Sequence, residues 1–206
     1  KLNTTQDELE ALYEQSITVA PRQQLEQNHD DILNEAENKD VAVLVIGDVF
    51  SAATPSMLFV EARNHDIPVD IVHNASIITA VSQTGLQLYK FGKTTSIVYP
   101  DGDWLPSTPY DAIEANQEHG LHTLCLLDIK ADTAGLQNDE DEFMTAQEAV
   151  EILYELERSE QSGVISDDTP LIVVQDITGP DQDIWWGEFD DINRFNGDEP
   201  LHSLII

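Results

Sequence analysis

Hydrophobic residues along this chain gather in continuous runs rather than in strict alternation. Val41-Ala42-Val43-Leu44-Val45-Ile46 is the clearest run, followed by Ile67 to Val72, Thr95 to Tyr99, Leu121 to Ile129 and Leu171 to Val174. Continuous apolar runs predict strands covered on both faces. Helical stretches lie between them. Thr54-Pro55 predicts a helix running toward Asn64, with a cap residue before proline at the first helical position. Thr108-Pro109 repeats the device before Tyr110 to Glu118, and Gly120 supplies the stop. Thr145 predicts the cap of an amphipathic helix that buries Ala149, Ile152, Leu153 and Leu156. The alternation predicts an α/β fold with a mainly parallel sheet and a mixed second lobe. Pro100, Asp101-Gly102-Asp103 and Pro106 form a loop between Tyr99 and Thr108, and the boundary between two lobes, 1–100 and 101–206, is expected there. Asp132 to Glu142 reads as a solvated acidic loop.

Charge changes this picture most. Across 206 residues, 40 Asp and Glu oppose 9 Lys and Arg, a formal net charge of -31. The carboxylates are spread from Asp7 to Glu199 rather than gathered in one tail. Such a field repels phosphate backbones and anionic membranes, so neither nucleic acid nor membrane is an expected partner. A uniformly acidic surface on an ordinary apolar core suits molar salt, where screening over a few Å suppresses self-repulsion. A halophilic source is expected. No run of about 18 apolar residues and no signal peptide is present in the chain, so a cytoplasmic protein is expected. The lone Cys125 sits in Leu124-Cys125-Leu126-Leu127 and reads as a small buried hydrophobe.

Ligands in open parallel sheets bind beyond the carboxyl ends of strands. Gly47-Asp48 ends the first apolar run, where glycine admits close approach and Asp48 can accept hydrogen bonds from a ribose or an ammonium group. The alternative is a helix-capping aspartate. His73-Asn74-Ala75-Ser76 ends the next run, and Ser76 can either cap the helix from Ile77 to Thr84 or meet a ligand. Other patterns carry no chemistry. Gly92-Lys93-Thr94 lacks the upstream glycine of a phosphate loop, Gln87 standing in its place. His119 and His122 straddle Gly120 and cannot share a helical face, so no metal is expected. Asp101 and Asp103 lack the spacing of a calcium loop. Trp185-Trp186 reads as core or dimer contact before substrate stacking.

Taken together, several motifs resemble diphthine synthase. They are Ala75-Ser76-Ile77 with Gly85-Leu86-Gln87-Leu88-Tyr89-Lys90-Phe91-Gly92, Gly120-Leu121-His122-Thr123-Leu124 through Leu127-Asp128-Ile129, Met144-Thr145-Ala146, and Ser166-Asp167-Asp168-Thr169. The resemblance implies a two-lobed tetrapyrrole-methylase-type fold, with a mainly parallel N-terminal sheet, a mixed C-terminal sheet and the donor folded between the lobes. It implies an S-adenosyl-L-methionine-dependent methyltransferase of diphthamide biosynthesis that needs no metal. The expected protein substrate is archaeal translation elongation factor 2, methylated on the amino group of its 3-amino-3-carboxypropyl-histidine, and the expected assembly is a homodimer. Carried over by position, Asp48, Ser51, Ser76, Ile77, Leu127, Gln175 and His202 would bind the donor. The family's opening strand and Gly-Leu-Gly-Leu loop would lie ahead of Lys1, which implies an exposed sheet edge and an opened pocket. Gly47-Asp48-Val49 and Asp176-Ile177-Thr178-Gly179 also depart from the family pattern. A non-catalytic protein that keeps the fold as a binding or dimerisation module is the rival reading, and a tetrapyrrole substrate is a third.

Salt dependence tests the charge argument. The far-ultraviolet circular dichroism of a folded chain is expected to collapse as salt falls well below molar levels; a full signal retained in dilute buffer would contradict salt adaptation.

Overall fold

The structure is a computed structural model that describes residues 4–206 apart from 22, 23, 26, 54, 103 and 131–141. Lys1, Thr54 as a cap, Asp103 and nearly all of the acidic stretch from Asp132 lie outside the described residues. The chain divides into two compact units, the first running to Thr79 and the second taking Ala80–Lys130 and Asp141–Ile206.

In the first unit the described residues form helices α1 (Gln6–Tyr13), α2 (Asp30–Ala36) and α3 (Ser56–Asn64), and α4 (Ile77–Ala80) begins at its end. A capping box closes the start of α1: the Thr5 hydroxyl accepts from the Glu8 amide, and the Glu8 carboxylate accepts from the Thr5 amide. A small apolar cluster of Leu33, Leu58 and Ala62 joins α2 to α3, with Leu25, Ile32 and Ile67 packed against it. The strands expected at Val41–Ile46 and Ile67–Val72 are not formed. Both segments are free of ladder pairing, and Leu44 and Val72 are 55% and 86% exposed. Apolarity marks a segment as fit for a buried strand, but a strand exists only when a neighbour takes up its amide and carbonyl groups. Among the described residues neither segment has that neighbour.

The second unit holds a five-stranded sheet built from β1 (Thr95–Ile97), β2 (Leu124–Leu127), β5 (Pro170–Gln175), β6 (Asp183–Glu188) and β7 (His202–Ile205). A separate two-stranded pair comprises β3 (Ile129–Lys130) and β4 (Glu142–Phe143). The spatial order β1-β2-β7-β5-β6 has one parallel pair, β1 with β2, and is antiparallel elsewhere. The mixed sheet of the sequence reading is therefore present, and the runs at Thr95, Leu124 and Leu171 are its strands. β5 is buried from Leu171 to Gln175 on both faces, as its continuous apolar run requires.

Two helices cover one face of this sheet. α5 (Thr108–Glu118) contributes Tyr110 and Ile113 to the core, and α6 (Ala146–Glu160) contributes Ala149, Val150, Leu153 and Leu156, against Cys125, Leu171, Val173 and Leu204. Thr145 caps α6 as expected, with Glu148 completing the box. The cap of α5 is Ser107 rather than Thr108, and Gly120 follows it in the left-handed conformation, φ +64°, that glycine adopts without strain. Glu157, although burial opposes its charge, accepts the Ile165 and Gly163 amides and the Tyr110 hydroxyl, and so ties α6 to α5 and to the following loop. Cys125 is fully buried, and burial pushes its thiol up to about 12, which makes it inert.

Denaturant titration in concentrated salt separates the two kinds of apolar segment. Leu153→Ala is expected to cost about 2–5 kcal/mol because it opens a cavity in a closed core. Leu44→Ala is expected to cost no more than about 0.5 kcal/mol. A core-sized loss at Leu44 would mean that 41–46 is paired in solution.

Candidate functional site

In the first unit the two apolar segments end in turns that share one carboxylate. Asp48 is 6% exposed. Its Oδ1 accepts from the Phe50 amide at 3.0 Å and the Ser51 hydroxyl at 3.3 Å. Its Oδ2 accepts from the His73 ring at 2.8 Å and the Asn74 amide at 3.2 Å. The Phe50 amide first, and then His73, hold the Asp48 carboxyl down at about 2, so it is ionised. Two carboxylate oxygens offer about four lone-pair positions, and protein donors take all four. Asp48 therefore ties residues 48–51 to 73–74 as a buried knot. Gly47 lies beside the Ala75 carbonyl and the Ser76 backbone at φ +84°, a left-handed conformation that glycine adopts without strain.

Ser76 stands at the start of α4. Its hydroxyl accepts from the Ile78 amide at 3.2 Å, and its own amide donates to the Thr79 hydroxyl. It is a helix cap, the first of the two roles open to it from sequence. Ile77, the first residue of α4, is half-buried, as is Ser51. Asp48, Ser51, Ser76 and Ile77 are thus gathered at two adjoining turns. His73 and Asn74 complete the group, and sequence reasoning quoted both without giving either a role. The sequence signal is that His73 ends the second apolar run as Asp48 ends the first.

In the second unit Gln175 and His202 are register partners across β5 and β7. Directly opposed residues of an antiparallel pair project from the same face. Both are buried, at 6% and 7% exposed. Gln175 donates its amide to the Asp181 carbonyl at 2.8 Å, which leaves Oε1 as an acceptor without a partner. His202 Nδ1 accepts the Ala146 amide, the first of α6, at 3.1 Å, so the neutral ring carries its proton on Nε2, a donor without a partner. Burial lowers the His202 pKa from its ordinary value; the Glu199 carbonyl, near the ring although Nε2 has no partner at hydrogen-bond distance, and the Asp198 charge favour the cation but are outweighed. The Phe195 ring stands edge-on to His202 at 5.3 Å. Gly197 backs Gln175 so closely that a Cβ there would collide with Oε1 and with Phe195. Leu127 is half-buried at the end of β2. Continuing the β2–β7 register one step past Leu126↔Ser203 sets it beside His202. Leu127, His202 and Gln175 form a row across three adjacent strands, where α6 begins.

A buried polar atom without a partner costs about 1–3 kcal/mol, and native chains hold few of them. Here an unpaired acceptor and an unpaired donor share one face at one register position. Among the described residues no group of three or more His, Cys, Asp or Glu side chains could hold a metal ion. Trp185 packs toward Phe195 at 6.3 Å, and Trp186 is exposed.

The tautomer of His202 makes a pH prediction. The folded pKa lies below the unfolded one, so the unfolded chain binds the extra proton first. The stability owed to the neutral ring is complete above about pH 6.5 and declines as pH falls below it. His202→Asn keeps an acceptor for the Ala146 amide and removes the titration. Between pH 7 and pH 5 the wild type is expected to lose stability relative to this variant in parallel denaturation series; parallel curves would contradict the assignment.

The model for Tetrapyrrole (Corrin/Porphyrin) Methylases matches residues 4–193. The diphthine synthase of Methanocaldococcus jannaschii is 42% identical over 203 residues, which cover 98% of this chain and 77% of the relative. The diphthine methyl ester synthase of Saccharomyces cerevisiae is 38% identical over 210 residues, 98% of this chain and 70% of the relative. A crystal structure of a diphthine synthase covers all of this chain and 74% of its own, with a TM-score of 0.84 and 27% identity. A methylase fold over most of the chain and this identity to relatives matched over more than two thirds of their length decide the assignment: the chain belongs to the diphthine synthase family of S-adenosylmethionine-dependent methyltransferases.

Proposed function

We propose that this chain transfers methyl groups from S-adenosyl-L-methionine to the amino group of a 3-amino-3-carboxypropyl-histidine on translation elongation factor 2. When bound, the donor supplies an electrophilic methyl carbon on a sulfonium. The observation that carries the reading is the buried, unpaired pair of Gln175 Oε1 and His202 Nε2. These two atoms offer one acceptor and one donor to the adenine edge, and Leu127 and Phe195 offer apolar surface beside them. In the first unit, the positions that the family resemblance assigns to the donor are Asp48, Ser51, Ser76 and Ile77. Asp48 acts there by fixing the turns it ties, since its oxygens are already occupied. Methyl transfer asks mainly for alignment of an amine with the methyl carbon, so turns and side chains held rigidly in place are the devices the reaction needs. The acidic surface is read as adaptation to molar salt.

Calorimetric titration of S-adenosylhomocysteine in concentrated potassium chloride tests the donor site. Micromolar binding is expected, weakened by about 1–3 kcal/mol in Gln175→Ala and in His202→Asn, each of which deletes one of the two contacts. Mass spectrometry of elongation factor 2 bearing the aminocarboxypropyl group should then show increments of one methyl each. No ligand binding in any salt would overturn the proposal, and so would full affinity in both variants.

A further inference from the structure

Two histidines of this chain are held in opposite tautomers by their neighbours. His202 carries its proton on Nε2, and His73 is the reverse case. Its Nδ1 lies 2.8 Å from the ionised, buried Asp48, so the neutral ring carries its proton on Nδ1 and keeps a lone pair on Nε2. The His73 side chain is 67% exposed, and Nε2 makes no hydrogen bond among the described residues. His65 and His119 also have Nδ1 engaged, but by carbonyls of their own helices, and His29 reaches the Leu25 carbonyl through Nε2. Among the described residues only His73 has a carboxylate partner. That carboxylate is locked by the Phe50 and Asn74 amides and the Ser51 hydroxyl, so the ring is oriented by a group that cannot easily move. The Phe50 ring flanks it at 6.2 Å.

This is the arrangement of a positioned proton acceptor: one ring nitrogen anchored on a buried carboxylate, the other open to a reacting group. It stands at the turns that hold Ser51, Ser76 and Ile77. We infer that His73 Nε2 takes the proton from the substrate amine, with Asp48 as its positioning residue. The inference rests on the methyltransferase reading above. In the step, the ammonium form of the amine gives one proton to Nε2 and regains its lone pair. That pair forms the new nitrogen–carbon bond, and the carbon–sulfur bond breaks with its electrons remaining on sulfur, which becomes a neutral thioether. The methylated amine is again protonated, so each further transfer to nitrogen requires the same proton removal. Asp48 is the charged group placed against the ring, and it stays ionised throughout.

His73→Asn and His73→Ala separate this role from a structural one. Asparagine keeps an N–H at the Nδ1 position, so it can still donate to Asp48, but it has no atom at Nε2. Three readouts are needed: calorimetric affinity for S-adenosylhomocysteine, turnover on the aminocarboxypropyl-bearing protein substrate from pH 5.5 to 9, and turnover of His73→Ala with added imidazole. The expected result for His73→Asn is ligand affinity within about twofold of wild type and turnover at pH 7 lower by about 10²–10⁴-fold. The acid limb of the wild-type profile should vanish in this variant, and imidazole should restore part of the His73→Ala rate. Turnover within about threefold of wild type with the acid limb intact would overturn the inference while leaving the methyltransferase reading in place. Affinity falling in step with turnover in His73→Asn, without imidazole rescue of His73→Ala, would assign His73 a structural role and also overturn it. A wild type that binds the ligand yet methylates nothing would overturn the reading of the substrate, and the inference with it.

Discussion

The pairing of β5 with β7 is the constraint on which the proposed donor site depends. It sets Gln175 opposite His202 on the helix-facing side of the sheet, two residues from the apolar positions Val173 and Leu204 that fill the core. A slip of one residue would turn both side chains to the other face and bring Val174 and Ser203 into their places. Apolar burial along β5 and β7 therefore protects a polar pair at their ends. The Ala146 amide then chooses the His202 tautomer, and Asp181 chooses the orientation of the Gln175 amide. The start of α6 has two tasks here, since its capping box holds the helix in place while its first amide programs the histidine.

Much of this was legible in the sequence, and the limits are physical. Thr145 predicts a capped helix because capping is a local bargain between residues a few positions apart, and α6 forms where expected. The runs at Thr95, Leu124 and Leu171 predict strands that find partners. The equally apolar run at Val41–Ile46 finds none among the described residues, because pairing is a property of two segments and cannot be read from one. The motifs carried the family, and with it the positions of Gln175 and His202. Their chemistry came from the structure alone: which ring nitrogen is free depends on Ala146, 56 residues away. The saturation of Asp48 was hidden for the same reason, since two of its four donors come from His73 and Asn74 in a distant turn.

Charge and site obey different rules in this chain. The net charge of -31 is a surface property, diffuse and open to screening. The local chemistry is built from groups that salt reaches poorly, namely a buried carboxylate with four donors and a buried neutral imidazole. Such groups gain their properties from fixed neighbours at hydrogen-bond distance, so an acidic surface can be carried without disturbing them. The two histidines make the point, because one buried amide and one buried carboxylate suffice to set them in opposite tautomers.

The central claim is that His202 Nε2–H is a donor reserved for the methyl donor's ring. Nitrogen-15 correlation of the His202 imidazole in concentrated salt, before and after saturation with S-adenosylhomocysteine, tests it directly. A ring protonated on Nε2 in both states, with the Nε2–H signal shifted and exchanging more slowly when the ligand is bound, is the predicted result. A proton on Nδ1, or His202 signals that stay unchanged at full ligand occupancy, would contradict the account.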